Sequence, residues 1–172
     1  MAAASHITTT TPALKARAAG LRERLARHLP PPSQARTDLL TAYVEAQDAY
    51  PICEREDVGT PRYTAAVAAD RRLCRSLSEI LGAPTPNTLD GLRTLALAAA
   101  ISAEGAVRGS PLDNGRELVA TARALLVATD TALPAEFLVF GDEPDFEARE
   151  RMLLAKPGRL PEWAQVEVVA AA

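Results

Sequence analysis

The stretch Thr85-Pro86-Asn87-Thr88-Leu89-Asp90-Gly91-Leu92-Arg93-Thr94-Leu95-Ala96-Leu97-Ala98-Ala99-Ala100-Ile101 decides the fold. Leucine and alanine lose little side-chain freedom in a helix, and from Leu95 to Ile101 apolar residues occupy every face. A helix with no polar side is predicted to be the central, most buried element of the protein. Its start is read at Thr85-Pro86, with the threonine as N-cap and the proline at the first helical position, where a missing N–H would have had no partner. The helix is expected to run up to Gly105.

Outward from this segment, three more Ser/Thr-Pro pairs carry the same signature: Thr11-Pro12, Thr60-Pro61 and Ser110-Pro111. After Thr60 a helix is read with Tyr63, Val67, Leu73, Cys74, Leu77, Ile80 and Leu81 on its buried side and Gly82 ending it in the left-handed conformation. After Ser110 the stripe is Leu118, Val119, Ala122, Leu125 and Leu126, with Arg116 and Arg123 outside. Before Thr60, Ser33 or Thr37 caps a helix striped by Leu39, Leu40, Tyr43, Val44, Ala46 and Tyr50 and closed by Pro51; residues 52–59 form a charged loop. The even spacing of the pairs at 60, 85 and 110 invites comparison with a repeat protein. The three segments share little beyond the dipeptide, and helical solenoids need two helices per unit, so a bundle is the better reading.

Composition agrees. The chain has 172 residues, 48% of them hydrophobic and only 4% aromatic, which favours helices over sheets and suffices for one core. The expected architecture is all-α: a single helical bundle of five to seven helices with a basic N-terminal helix. Residues 1–32 are read as a disordered tip, a basic amphipathic helix and a spacer, Pro30-Pro31-Pro32. Residues 33–140 are read as the helical core. Residues 141–172 are read as a C-terminal helix capped by Asp145 and ended by Lys156-Pro157-Gly158, then a segment docked through Trp163 as a short helix or an edge strand.

Charge is unevenly placed. Residues 1–37 hold six bases against one acid, net +5, which leaves −8 for the remainder of a chain whose formal charge is −3. Lys15, Arg17, Arg22, Arg24 and Arg27 are therefore the contacts expected for a polyanion or a protein partner. An arm that packs on its own acidic body accounts for the same asymmetry. The helix carries no aromatic side chain for base stacking.

No constellation of catalytic type is legible. Cys53 and Cys74, even with His6 and His28, are too few for a zinc site, and they read as thiols of a reducing compartment, the cytoplasm. The acidic run Asp142, Glu143, Asp145, Glu147, Glu150 lacks the glycine and spacing of a calcium loop. Asp70 and Glu104 are the unusual acids. Asp70 is expected to be buried opposite Arg93, Arg116 or Arg123, a pairing that fixes helix register more than it performs chemistry. No apolar run is long enough to span a membrane. The expectation is of no metal, no cofactor and no enzymatic activity.

The segment Thr85–Arg93 and the alanine-rich helix after it resemble short uncharacterised all-helical proteins common in alphaproteobacterial genomes and their mobile elements, over roughly the middle third of the chain. That resemblance implies a bacterial cytoplasmic or phage-associated setting and transfers no catalytic residue. The function expected is that of a non-enzymatic helical interaction or regulatory protein with a protein partner or a second copy of itself. The alternative is a nucleic-acid-binding accessory protein that uses the basic N-terminal helix.

Overall fold

The computed structural model describes residues 33–109, 114–138, 140 and 144–165, all within one compact unit spanning 32–172. Five helices follow one another: α1 (Gln34–Cys53), α2 (Pro61–Leu81), α3 (Leu89–Gly109), α4 (Asn114–Thr129) and α5 (Phe146–Ala155). No strand occurs among the described residues, and the protein is an all-α bundle. Consecutive helices pair, α1 with α2 and α3 with α4; α3 touches both members of the first pair, and α5 lies against α1 and reaches α3 through Glu150 and Arg108.

α3 is the central helix that its sequence predicts. Ala96, Ala99, Ala100 and Ala103 pack against Val119, Ala122 and Leu126 of α4, with Phe140 closing the end of that cluster. The opposite side of the same turns presents Leu97, Ala98 and Ile101 to Leu39 and Tyr43 of α1. The alanines on one side let α4 approach α3 closely, so that seam is built more from backbone proximity than from bulk, whereas Leu97 and Ile101 fill the side towards α1. A third cluster joins Ala49 and Ile52 of α1, Ala65, Ala66 and Ala69 of α2, and Leu160 and Ala164 from the C-terminal segment.

Helix starts obey local chemistry, with corrections. Thr60 caps α2 as predicted: its hydroxyl accepts from the Tyr63 N–H at 3.1 Å, and Pro61 is the first helical residue. Thr85-Pro86 does not cap α3. The helix begins at Leu89, where the Thr88 hydroxyl accepts from the Gly91 N–H at 3.1 Å, and Pro86 instead packs on Gly91 so closely that a Cβ there would lie 2.6 Å from the proline. Ser33 occupies the N-cap of α1 without a side-chain cap bond, and its N–H donates to the Asp90 carboxylate at 3.2 Å. Thr11-Pro12 and Ser110-Pro111 lie outside the described residues, as do the basic arm and the triple proline.

Helix ends also differ from expectation. Pro51 lies inside the last turn of α1 rather than after it; with only Ile52 and Cys53 to follow, the helix forgoes a single bond, that to the Gln47 carbonyl. α3 continues past Gly105 to Gly109. Gly82 ends α2 in the right-handed region, φ −85°, so its handedness is not what requires glycine. The requirement is steric, because a Cβ would stand 2.9 Å from the Ser78 carbonyl oxygen. Of the predicted stripe of α2, Leu73, Leu77 and Ile80 pack on the Leu39–Tyr43–Leu97 cluster, while the fully buried positions are Ala65, Ala66 and Ala69 in the first half of the helix, and Cys74 and Leu81 are exposed.

The C-terminal segment is fixed by Gly158, whose φ of +73° and position against Ile52 exclude any side chain. Asp145 stands at the N-cap of α5 but spends its carboxylate on Arg149, at 2.7 Å. At the other end the Arg55 guanidinium donates to the Leu154 carbonyl at 2.6 Å and to the Lys156 carbonyl, where a cation meets the negative end of the helix. Beyond Gly158 the Arg159 N–H donates to the Asp48 carbonyl at 2.7 Å. Residues 162–165 then form a helical turn, which settles the helix-or-strand alternative for that part.

Candidate functional site

One turn of α3 past Ala100, the same buried face carries a carboxylate. Glu104 is 2% exposed. On α1, Tyr43 and Gln47 are four residues apart and so share a face, and that face meets Glu104. The Tyr43 hydroxyl donates to Glu104 Oε2 at 2.7 Å, and Gln47 Nε2 donates to the tyrosine oxygen at 2.9 Å and to Glu104 Oε2 at 3.3 Å. The second oxygen, Oε1, accepts from the Leu138 N–H at 2.8 Å. One carboxylate thus ties α1, α3 and the 136–138 loop together.

Arg108, one turn further along α3, extends the network towards α5. Its guanidinium lies over the Tyr50 ring, 4.1 Å from the centroid, with Nη1 3.5 Å from the Gln47 amide oxygen and Nε 3.7 Å from Glu150 Oε1. Its Nε and Nη2 are enclosed with no hydrogen-bond acceptor.

Burial sets the electrostatics. Loss of solvent raises the Glu104 carboxyl above its ordinary value, partly opposed by the Tyr43 and Leu138 donors and by the charge of Arg108. The Tyr43 phenol is held far above its usual range by burial and by the neighbouring carboxylate. Burial likewise raises the thiols of Cys53 and Cys74, both also through the charge of Asp70, so neither is poised as a thiolate. Protonated Glu104 retains its bonds: it donates to Tyr43, whose hydroxyl turns to the Glu136 carbonyl 3.3 Å away.

Both oxygens of Glu104 are committed to donors within the chain, and neither Glu104 nor Arg108 lines three surface clefts formed by described residues, of about 440, 320 and 210 Å³, though Gln47 reaches the smallest of them. Asp70 does not join this cluster. The expected buried ion pair is absent because Asp70 lies outside the inward face of α2, that of Ala66, Ala69, Leu73 and Leu77; it is exposed and accepts from Cys74 Sγ at 3.9 Å. Arg93 Nε donates to the Thr129 carbonyl at the end of α4, at 3.0 Å, and Arg123 lies over Phe140.

Sequence reading singled out Glu104 but took Tyr43 for an ordinary core residue and passed over Gln47. The available signal was a pair of polar residues four apart, Glu104 and Arg108, at the end of an otherwise apolar helix. Lys15, Arg17, Arg22, Arg24 and Arg27 lie outside the described residues. Among the described residues no group of His, Cys, Asp and Glu is placed to hold a metal, and no helix is long and apolar enough to cross a membrane. No protein-family model, curated protein or solved structure matches the chain.

Proposed function

We infer that the protein is a non-enzymatic helical interaction or regulatory protein whose α4 meets another helix, that of a second copy in the first instance. The outer face of α4 carries this reading. Ala120, Thr121, Ala124, Val127 and Ala128 are all exposed, Val127 by 83%. They recur at helical spacing as one smooth stripe. Thr121 returns its hydroxyl to the Glu117 carbonyl at 2.8 Å, and the one charge between Leu118 and Thr129, Arg123, is turned onto Phe140. Among the described helices α4 packs only on α3. A solvated helix face ordinarily carries charge, and an uncharged one is suited to covering. Light scattering during size exclusion is expected to give at least a dimer's mass for the chain and a monomer's for Val127→Glu. A monomer for both, at concentrations up to the millimolar range, would falsify this reading.

A second reading rests on the +5 charge of residues 1–37. A cationic arm of this kind binds polyanions with an affinity that falls steeply as salt rises. Gel retardation of DNA or RNA at low salt is expected to disappear at high salt and on removal of residues 1–32; retardation that survives the truncation refutes it.

A further inference from the structure

Where the start of α1, the end of α2 and the start of α3 come together, the helices leave open a cleft of about 320 Å³. Its body is apolar, with Ile80 of α2, Leu95 of α3, and Pro84 and Pro86 from the connection between them. The walls are stiff. Proline fixes its own backbone angle, and Pro86 is packed on Gly91 so closely that a Cβ there would lie 2.6 Å from it. A preformed, mostly apolar cleft of this volume suits a small organic molecule.

The charge at the cleft is negative. Glu79 lines it, and among the described residues no hydrogen bond or ion pair engages that carboxylate. Glu79 stands in the last turn of α2, a turn without a base, where the free carbonyls of the helix end add negative charge of their own. The positive start of α3 is already answered, because Asp90 takes the Ser33 N–H at 3.2 Å and lies 3.9 Å from Arg36. Thr94, also at the cleft, is buried and directs its hydroxyl proton to the Asp90 carbonyl at 3.0 Å, so what it has left to offer is a lone pair. No lysine, arginine or histidine is among the described residues that line the space.

We propose that this cleft binds a small primary amine, protonated at neutral pH, with an aromatic or branched aliphatic body. The body covers Ile80, Leu95 and the two prolines, and the ammonium pairs with Glu79 and the carbonyl end of α2. An anion has no cation to meet it here, and a neutral molecule leaves Glu79 unpaired. The ligand touches α1, α2 and α3, and so holds both helix pairs together when bound. No residue of α4 lines the cleft, so the site does not depend on the self-association face.

Phenethylamine is the probe and phenethyl alcohol its neutral counterpart, each titrated into the isotopically labelled full-length chain and followed by amide shifts in two-dimensional NMR. The amine is expected to move the amides of Ala83, Gly91 and Thr94 with a Kd of about a millimolar, and to leave that of Val127 in place. The alcohol is expected to bind about fivefold more weakly, as is the amine to Glu79→Gln, since a charge pair at the surface supplies about that factor at most. Glu79 is exposed, and the variant's own amide spectrum verifies its fold; the comparison of amine with alcohol on the unaltered chain stands without it. Absence of shifts at the three amides, equal affinities for amine and alcohol, or an unchanged affinity of the amine for folded Glu79→Gln overturns the proposal. Val127→Glu is expected to give the titration of the unaltered chain, so loss of self-association and loss of amine binding are told apart.

Discussion

Replacing Glu104 by alanine is expected to lower the unfolding free energy by about 3 kcal/mol, because a buried side chain is removed, the Leu138 N–H loses its acceptor, and Tyr43 and Gln47 keep only the Glu136 carbonyl at 3.3 Å and the tyrosine oxygen. For a chain of this size that is a fall in Tm of roughly 6–12 °C. Glutamine at the same position reproduces the protonated carboxyl, with its amide towards Tyr43 and its oxygen towards Leu138, and should cost about 1 kcal/mol or less. The two variants also separate in their pH response. Burial holds the folded carboxyl above the ordinary 4.5, near which the unfolded chain titrates, so folding takes up a proton between the two values. The stability linked to that proton is complete below about 4.5 and is lost as pH rises through the folded value. Denaturation at a series of pH values should show this decline in the unaltered chain and none from this group in Glu104→Gln. A parallel decline in both would remove the carboxyl as its source.

Ala100→Leu is expected to cost about 3 kcal/mol or more, which would leave a marginally stable bundle partly unfolded. Ala100 is fully buried in the cluster between α3 and α4, where Ala96, Ala99 and Ala103 meet Ala122 and Val119. A leucine there must push the two helices apart, since alanine neighbours have no rotamer with which to yield. The same substitution at Ala106, on the exposed side of α3, should change stability by less than about 0.5 kcal/mol. Chemical denaturation of the pair checks this, and similar midpoints would contradict the close approach of α3 and α4.

The helices were legible because their signals are local. Leu95–Ile101 predicts a central helix, and α3 is one; Thr60-Pro61 predicts a cap, and the hydroxyl makes it. What could not be read depends on packing that residue types alone do not specify. Thr85 and Thr88 are both plausible caps, and the choice falls to Thr88 where Pro86 packs against Gly91. On α2 the large residues marked the inward face of the second half, where Leu73, Leu77 and Ile80 pack, whereas in the first half close contact with α1 buries Ala65, Ala66 and Ala69, which no stripe of large residues announces. At the polar cluster Glu104 was conspicuous in sequence as an acid near the end of an apolar helix. Its partners were not, because Tyr43 and Leu138 lie 61 and 34 residues away and no local pattern links them.

The pairing of consecutive helices has a consequence for the order of assembly. Within α1–α2 and within α3–α4 the ends to be brought together are separated by short connections, so each pair closes at little entropic cost and rapidly. The bond from Tyr43 to Glu104 joins one pair to the other across 61 residues. It forms at the seam, after the hairpins that present it, and Glu104 gives up its water only as the halves meet. If the bond is a late contact, Glu104→Ala should speed unfolding more than it slows folding, which stopped-flow rates of the two chains would check.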